Sequence, residues 1–137
     1  MLTAKSIMCG DVLTIAPEAR LVDAIDTLLS SDANSLIVID HSGHVMGVIT
    51  EFALLAATYD PAIRDEPVSA HMTENVVSIH EQATLTQIAD LIILHRVHQL
   101  PVLRDGILVG LVTRRELLRA SQHSQFRAPA AAESLQA

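Results

Sequence analysis

Gly110-Leu111-Val112-Thr113-Arg114-Arg115-Glu116 has a looser counterpart sixty-three residues upstream, Gly47-Val48-Ile49-Thr50-Glu51-Phe52-Ala53. In both, a glycine and two apolar residues run into a threonine, and a helical stretch follows. Reading outward, the agreement extends over most of the chain. Met8-Cys9-Gly10-Asp11-Val12 falls on Met72-Thr73-Glu74-Asn75-Val76, Thr14-Ile15 on Ser78-Ile79, Leu21 on Leu85, Asp26 on Asp90, Leu36 on Leu100 and Val38 on Val102. After Asp40 the second copy is one residue shorter, and Gly43 then meets Gly106 while Leu54-Leu55 meets Leu117-Leu118. Identities are few, but the apolar positions and the glycines keep register, which is the signature of an internal repeat.

Each copy carries the same local signals. A short apolar piece (Val12–Ile15; Val76–Ile79) leads to a polar turn, Ala16-Pro17-Glu18 or His80-Glu81-Gln82. A helical period follows, as Leu21, Ala24, Ile25, Leu28, Leu29 and as Leu85, Ile88, Ala89, Ile92, Ile93. Pro17 and Glu18 suit a helix start, where a missing N–H costs little and a carboxylate meets the positive end of the dipole. Two β-type runs come next, Leu36–Ile39 with Val45–Thr50 and Leu100–Leu103 with Ile107–Thr113, joined by Asp- and Gly-containing hairpin turns. Short helices over Glu51–Thr58 and Arg114–Ala120 close the copies. The pattern is β-α-β-β-α, twice, an α+β (α/β-type) fold of two pseudo-symmetric units expected to pack as one compact module.

The expected boundaries are a first repeat over 1–60 with its N-terminal segment, a connector over 61–68, a second repeat over 69–120 and a flexible tail over 121–137. Pro61 and Pro67 prevent the connector from being one continuous helix. The tail is rich in Ser, Gln and Ala and has no β period; a terminal helix is the alternative reading. The Leu91-Ile92-Ile93-Leu94 helix is apolar nearly all round, so it needs cover on more than one side.

Composition excludes several classes of function. The 137 residues are 50% hydrophobic and 18% charged, against roughly 25% charged in an average globular protein, so most of the chain is not disordered. A formal net charge of −7 and a pI near 5.3 argue against a nucleic-acid binder, as does an aromatic content of one Tyr, two Phe and no Trp. Mean hydropathy is +0.36, yet Asp26, Asp40, Asp90, His95 and Arg96 interrupt every apolar run short of the roughly 18–20 residues that span a bilayer. The start of the chain has no long apolar h-region of a secretory signal. Cys9 is the single cysteine, so no intramolecular disulfide forms and a reducing cytoplasm fits.

The repeated pattern, with Val97-His98-Gln99-Leu100-Pro101-Val102 and Gly110-Leu111-Val112-Thr113-Arg114-Arg115-Glu116 as its best-matching stretches, resembles a tandem pair of CBS (cystathionine-β-synthase) domains, or Bateman module, over about residues 1–120. The resemblance implies two clefts between the repeats, an adenosyl ligand (AMP, ADP, ATP, S-adenosylmethionine or a dinucleotide) in a cleft, and a homodimer. It also implies a ribose contact through Thr/Ser-x-x-Asp at the start of the closing helix, where a carboxylate accepts from both ribose hydroxyls. Here the chain departs twice. Thr50-Glu51-Phe52-Ala53 has an alanine at the carboxylate position, whereas Thr113-Arg114-Arg115-Glu116 keeps a carboxylate one methylene longer. By resemblance the competent cleft is therefore that of Thr113, Glu116 and Leu111, with His98 and Gln99 facing phosphates, Arg115 adding a positive contact, and Leu13 and Asn34 completing it from the other repeat. Pro101 stands where the first copy has Ile37, a further divergence.

Each candidate also has a plainer reading. Glu116 is equally an acid offsetting a helix dipole, His98 a strand-edge histidine, and Arg114-Arg115 a solvated helix start, although paired arginines there oppose the dipole and invite an anion. His95-x-x-His98 has metal-ligand spacing but no supporting Cys or carboxylate cluster, so no metal is expected. Cys9 has no neighbouring base in sequence, and no nucleophile–base–orienter set, P-loop or dinucleotide fingerprint occurs, so no enzyme and no catalytic cofactor is expected. Two functions remain: a stand-alone regulatory module that senses an adenosyl ligand and signals to an unidentified partner protein, or a structural dimerisation or adaptor protein with vestigial clefts.

Overall fold

The computed structural model describes residues 2–122, so the expected tail lies almost wholly outside the described residues. In chain order the elements are α1 (Ala4–Ile7), β1 (Thr14–Ile15), α2 (Leu21–Leu29), β2 (Ser35–Ile39), β3 (Val45–Thr50), α3 (Glu51–Tyr59), β4 (Ile79–His80), α4 (Leu85–His95), β5 (Gln99–Arg104), β6 (Ile107–Thr113) and α5 (Arg114–Gln122). Short 3-10 turns occupy Pro61–Asp65 and Val68–Ala70. The β-α-β-β-α order appears twice, as the repeat requires.

The chain forms two compact units, and their boundaries differ from the repeat boundaries. Residues 13–76 form the first-repeat unit, whereas residues 2–12 join residues 77–122 in the second-repeat unit. The opening segment thus belongs with the later repeat, and the connector is part of the earlier one.

Hydrogen bonds explain the exchange. In the second-repeat unit Ala4 N donates to Ala83 O (2.8 Å) and Lys5 N to Glu81 O (2.8 Å). At the matching positions of the first-repeat unit, Val68 N donates to Ala19 O (2.7 Å) and Ser69 N to Pro17 O (2.9 Å). Ala4 and Val68 are both fully buried in the cores they enter. The first core comprises Leu21, Ala24, Leu28, Leu36, Val38, Ile49, Leu54 and Val68; the second is built on Ile79, Leu85, Ile88, Ile92, Leu100, Val102, Val112 and Ala120 together with Ala4.

This docking also moves the start of α2. A helix beginning at Pro17 would bond Leu21 N to Pro17 O, but Leu21 N donates to Glu66 O (3.0 Å) and Pro17 O is taken by Ser69. The helix therefore begins at Leu21, after Arg20, whose N–H donates to the Asp23 carboxylate (3.3 Å). In the second copy Thr84 and Gln87 form a reciprocal capping box at α4 (3.2 and 2.9 Å).

Each unit has a three-stranded sheet, β1-β2-β3 or β4-β5-β6, with the first pair parallel and the second antiparallel. The hairpins solve their turns differently. Asp105 (φ 52°) and Gly106 (φ 81°) make a tight two-residue turn. The longer first turn is held by the Asp40 carboxylate, which accepts from Ser42 N (2.8 Å) and His44 N (3.0 Å). Those two bonds from backbone amides, led by that of His44, hold the Asp40 carboxyl below its usual range.

A last strand-like contact closes each sheet. Leu111 exchanges both backbone bonds with Cys9 (2.8 and 2.9 Å), and Val48 does the same with Thr73 (2.9 and 2.8 Å). These bridges account for Gly47 and Gly110. A Cβ on Gly47 would lie 2.6 Å from Thr73 O and 2.8 Å from Met72 Sδ; one on Gly110 would collide with Met8 Sδ and lie 3.1 Å from Cys9 O. The repeated methionine and the repeated glycine are two halves of one contact.

Candidate functional site

The start of α5 is organised by Thr113 and Glu116. The Thr113 hydroxyl accepts from Arg115 N (3.2 Å). Its backbone N–H donates to Glu116 Oε2 (2.8 Å), and its hydroxyl donates to the same oxygen. Thr113 thus caps α5: its hydroxyl accepts from the first turn, while its amide and hydroxyl hydrogens both go to the acid three positions on. Burial pushes the half-buried Glu116 carboxyl up, but the Thr113 hydroxyl and amide outweigh it and hold the group below its usual range. The carboxylate is ionised and oriented. At α3 the arrangement is one-sided: Thr50 Oγ1 accepts from Ala53 N (3.1 Å), and Ala53 returns nothing.

Arg114 ties α5 to the segment between α4 and β5. Its Nε donates to Val97 O (3.2 Å) and its backbone N–H to His98 O (3.3 Å). Gln99 pairs with Thr113 in the β5–β6 register, and Pro101 pairs with Leu111. His98 and Arg115 are exposed, Gln99 and Leu111 half-buried. Six of the eight expected ligand residues (His98, Gln99, Leu111, Thr113, Arg115, Glu116) thus share one end of the second-repeat sheet. Leu13 and Asn34 lie in the first-repeat unit, where Leu13 O accepts from Ile37 N (3.1 Å) and Asn34 O from Glu51 N (3.0 Å). Asn34 holds in its unit the place of His98, each carbonyl accepting from the first residue of the closing helix.

Pro101 sits in a central strand, normally a poor place for proline. Leu111 spends both backbone groups on Cys9, so its pairing with Pro101 is of the kind without hydrogen bonds, and no ladder donor is lost there. On the other side β4 pairs with β5 only from Val102 onward. Ile37, the counterpart, does donate across to Leu13, a bond that proline cannot make.

Sequence reasoning missed two features. Glu81, read as a turn residue, is 6% exposed and receives both Arg104 Nε (2.8 Å) and Nη2 (3.0 Å). The Arg104 hydrogen bonds hold its carboxyl below the usual range against the opposing effect of burial. Neither partner has a charged counterpart of the same sign in the first copy, so the repeat offers no signal for the pair. An open groove of about 610 Å³ beside β4 and α4 is lined by Ser78, His80, Gln87, Asp90 and Leu91 among others, and contains none of the expected ligand residues. Among the described residues no group of three or more His, Cys, Asp or Glu side chains is placed to hold a metal, and no helix is long and apolar enough to cross a membrane.

Comparison with known proteins fits this architecture. The CBS domain family model matches residues 4–60 and again 68–123. The chain belongs to the CBS domain family. Its two copies make it a tandem CBS pair, a Bateman module. It is 32% identical over 110 residues to an uncharacterized 17.7 kDa protein of Acidianus ambivalens and 29% identical over 113 residues to the inosine-5'-monophosphate dehydrogenase of Nitrosopumilus maritimus. These matches take in 80% and 82% of this chain but only 66% and 23% of those relatives. Among solved structures, CBSX2 in complex with AMP superimposes with a TM-score of 0.79 at 24% identity, covering 92% of this chain and 100% of that one. The CBS pair of protein MJ0100, in complex with 5'-methylthioadenosine and S-adenosylmethionine, gives 0.75 at 22%, covering 90% and 98%.

Proposed function

We propose that this CBS pair is a cytoplasmic, homodimeric regulatory module that binds an adenosine-containing ligand (AMP, ADP, ATP or S-adenosylmethionine) and transmits its occupancy to a partner protein without turnover of its own. The observation that carries the reading is the ionised, half-buried Glu116 carboxylate at the first turn of α5. Both Thr113 bonds fall on Oε2, and Oε1 is the atom a ribose diol would address. His98, Gln99 and Arg115, at the same end of the sheet, supply donors for phosphate or another polar extension, with Leu111 as a further contact. Two proteins of this fold are described in complex with AMP and with S-adenosylmethionine, which supports the ligand class. Regulation follows from linkage: a ligand shifts a conformational equilibrium by its differential affinity for the two states.

The second reading, a dimerisation or adaptor protein, is favoured by the same helix start. Glu116 already accepts twice from Thr113, and Ala53 leaves the first repeat without any carboxylate at that place. Calorimetric titration with AMP, ATP and S-adenosylmethionine separates the two, with Glu116→Gln as the informative variant. Glutamine can still accept from the Thr113 amide but cannot accept from a diol as an anion. The ligand reading expects saturable binding that weakens about tenfold or more in the variant. Silence from all three ligands on a folded protein selects the adaptor, and equal affinity in the variant removes Glu116 from the site.

A further inference from the structure

Both bonds from Thr113 to Glu116 end on a single oxygen. A carboxylate oxygen has two lone pairs, and on Oε2 the Thr113 amide (2.8 Å) and the Thr113 hydroxyl use both. Neither donor is easily turned aside. The amide belongs to the last residue of β6, which pairs with Gln99, and the hydroxyl oxygen is pinned by Arg115 N (3.2 Å). The length of the acid matters here. At the start of α2 the shorter Asp23, three positions after Arg20, accepts from the Arg20 amide at 3.3 Å. Glu116, one methylene longer, meets the Thr113 amide at 2.8 Å and reaches the hydroxyl as well.

We propose, on the basis of the ligand reading above, that Glu116 recognises one ribose hydroxyl rather than two and that Thr113 sets this specificity. The site then takes an adenosine ligand that lacks the other hydroxyl nearly as well as one with the full ribose. A carboxylate that grips a vicinal diol places one hydroxyl on each oxygen, and here Thr113 occupies one of the two. A second ribose hydroxyl reaches Oε2 only by displacing the Thr113 hydroxyl. That exchange trades one hydroxyl donor to a carboxylate for another, so it adds little affinity. The ribose hydroxyl on Oε1 displaces no donor from Thr113 and keeps the strength of a charge-assisted bond. The departure from aspartate to glutamate therefore narrows ribose recognition instead of abolishing it.

Calorimetric titration of the full chain with AMP and ATP, and with their 2′-deoxy and 3′-deoxy forms, tests this. One deoxy series should bind within about threefold of the parent nucleotide, and the other should lose about tenfold or more. Thr113→Val removes the hydroxyl donor from Oε2, so the tolerated deoxy form should now lose about fivefold or more against its own parent. Thr113→Ser keeps a hydroxyl and should keep the wild-type ratio. Each ratio is taken within one protein, so a variant that only weakens the fold moves both nucleotides together; circular dichroism confirms folding. A loss of about tenfold or more in both deoxy series means a two-oxygen grip and overturns the proposal. Indifference to both deoxy series, or a ratio that Thr113→Val leaves unchanged, overturns it equally. If neither AMP nor ATP binds, the proposal falls, and titration with S-adenosylmethionine then decides whether the ligand reading falls with it.

Discussion

The two units share topology, core and docking geometry, but not the same local solutions. Where the first uses Ile37 to donate to Leu13, the second has a proline with no hydrogen to give. The first caps its closing helix with one threonine; the second adds a glutamate that accepts from its capping threonine. The first has no buried charge, whereas the second buries Glu81 against Arg104. What the units keep in common is what closes their sheets: a methionine and an adjoining residue packed on a glycine. Duplication preserved the contacts without which the sheet edge cannot close, and released the rest.

Substitutions can break or sharpen this comparison. The largest effect is expected at Ile37→Pro, which deletes the bond to Leu13 O in a central strand and removes a buried side chain; urea unfolding should show a loss of about 3 kcal/mol. Pro101→Ile should change far less, because no hydrogen bond is removed there and β4 pairs with β5 only from Val102 onward. Next comes Gly47→Ala, whose Cβ would press on the Thr73 carbonyl, a backbone atom that cannot step aside; a loss of about 1–3 kcal/mol is expected. Gly110→Ala meets chiefly the flexible end of Met8 and should cost less, with much of the loss recovered in Gly110→Ala/Met8→Ala. If the two glycine variants cost the same, the distinction between backbone and side-chain obstruction is wrong.

At the helix starts the differences are smaller. Thr50→Ala and Thr113→Ala should each cost about 0.5–2 kcal/mol, the second more because its hydroxyl both accepts from Arg115 N and donates to Glu116. The smallest effect at neutral pH is in the slope of stability rather than its height. Glu81 is held below its usual range in the folded chain, so its contribution is complete above the unfolded carboxylate pKa and fades as pH falls through the lower folded value. Thermal melts below about pH 4 should therefore drop less steeply for Glu81→Gln than for the wild type, since the variant has no proton to take up at this site. Parallel slopes would show that the pair does not govern the acid limb.

The repeat and its strands were legible because apolar residues recur at fixed offsets, and both hairpins carry Asp and Gly at their tips. The docking exchange was not legible. Nothing local to residues 4–5 says that they will bond to residues 81–83, and a segment is naturally grouped with its sequence neighbours. The misplaced start of α2 has the same origin: Pro17 and Glu18 have good helix-start chemistry, but residues 66–69 claim the backbone groups a first turn would use. Glu116 was legible as a residue type and ambiguous as a role. The spacing Thr-x-x-Glu describes a ribose acceptor and a helix-start acid equally, and only the fold shows that the carboxylate accepts from Thr113.

The exchange of opening segments also sets an order in time. A chain made from its N-terminus contains every residue of the 13–76 sheet, core and docked segment before residue 77 is added. The first helix is made before either sheet, yet the sheet and core it joins come after the other. Ala4 must stay unburied through the synthesis of more than half the chain, until Ala83 and the strands beyond it exist to receive it. A segment made ahead of both sheets can come to rest only with the second.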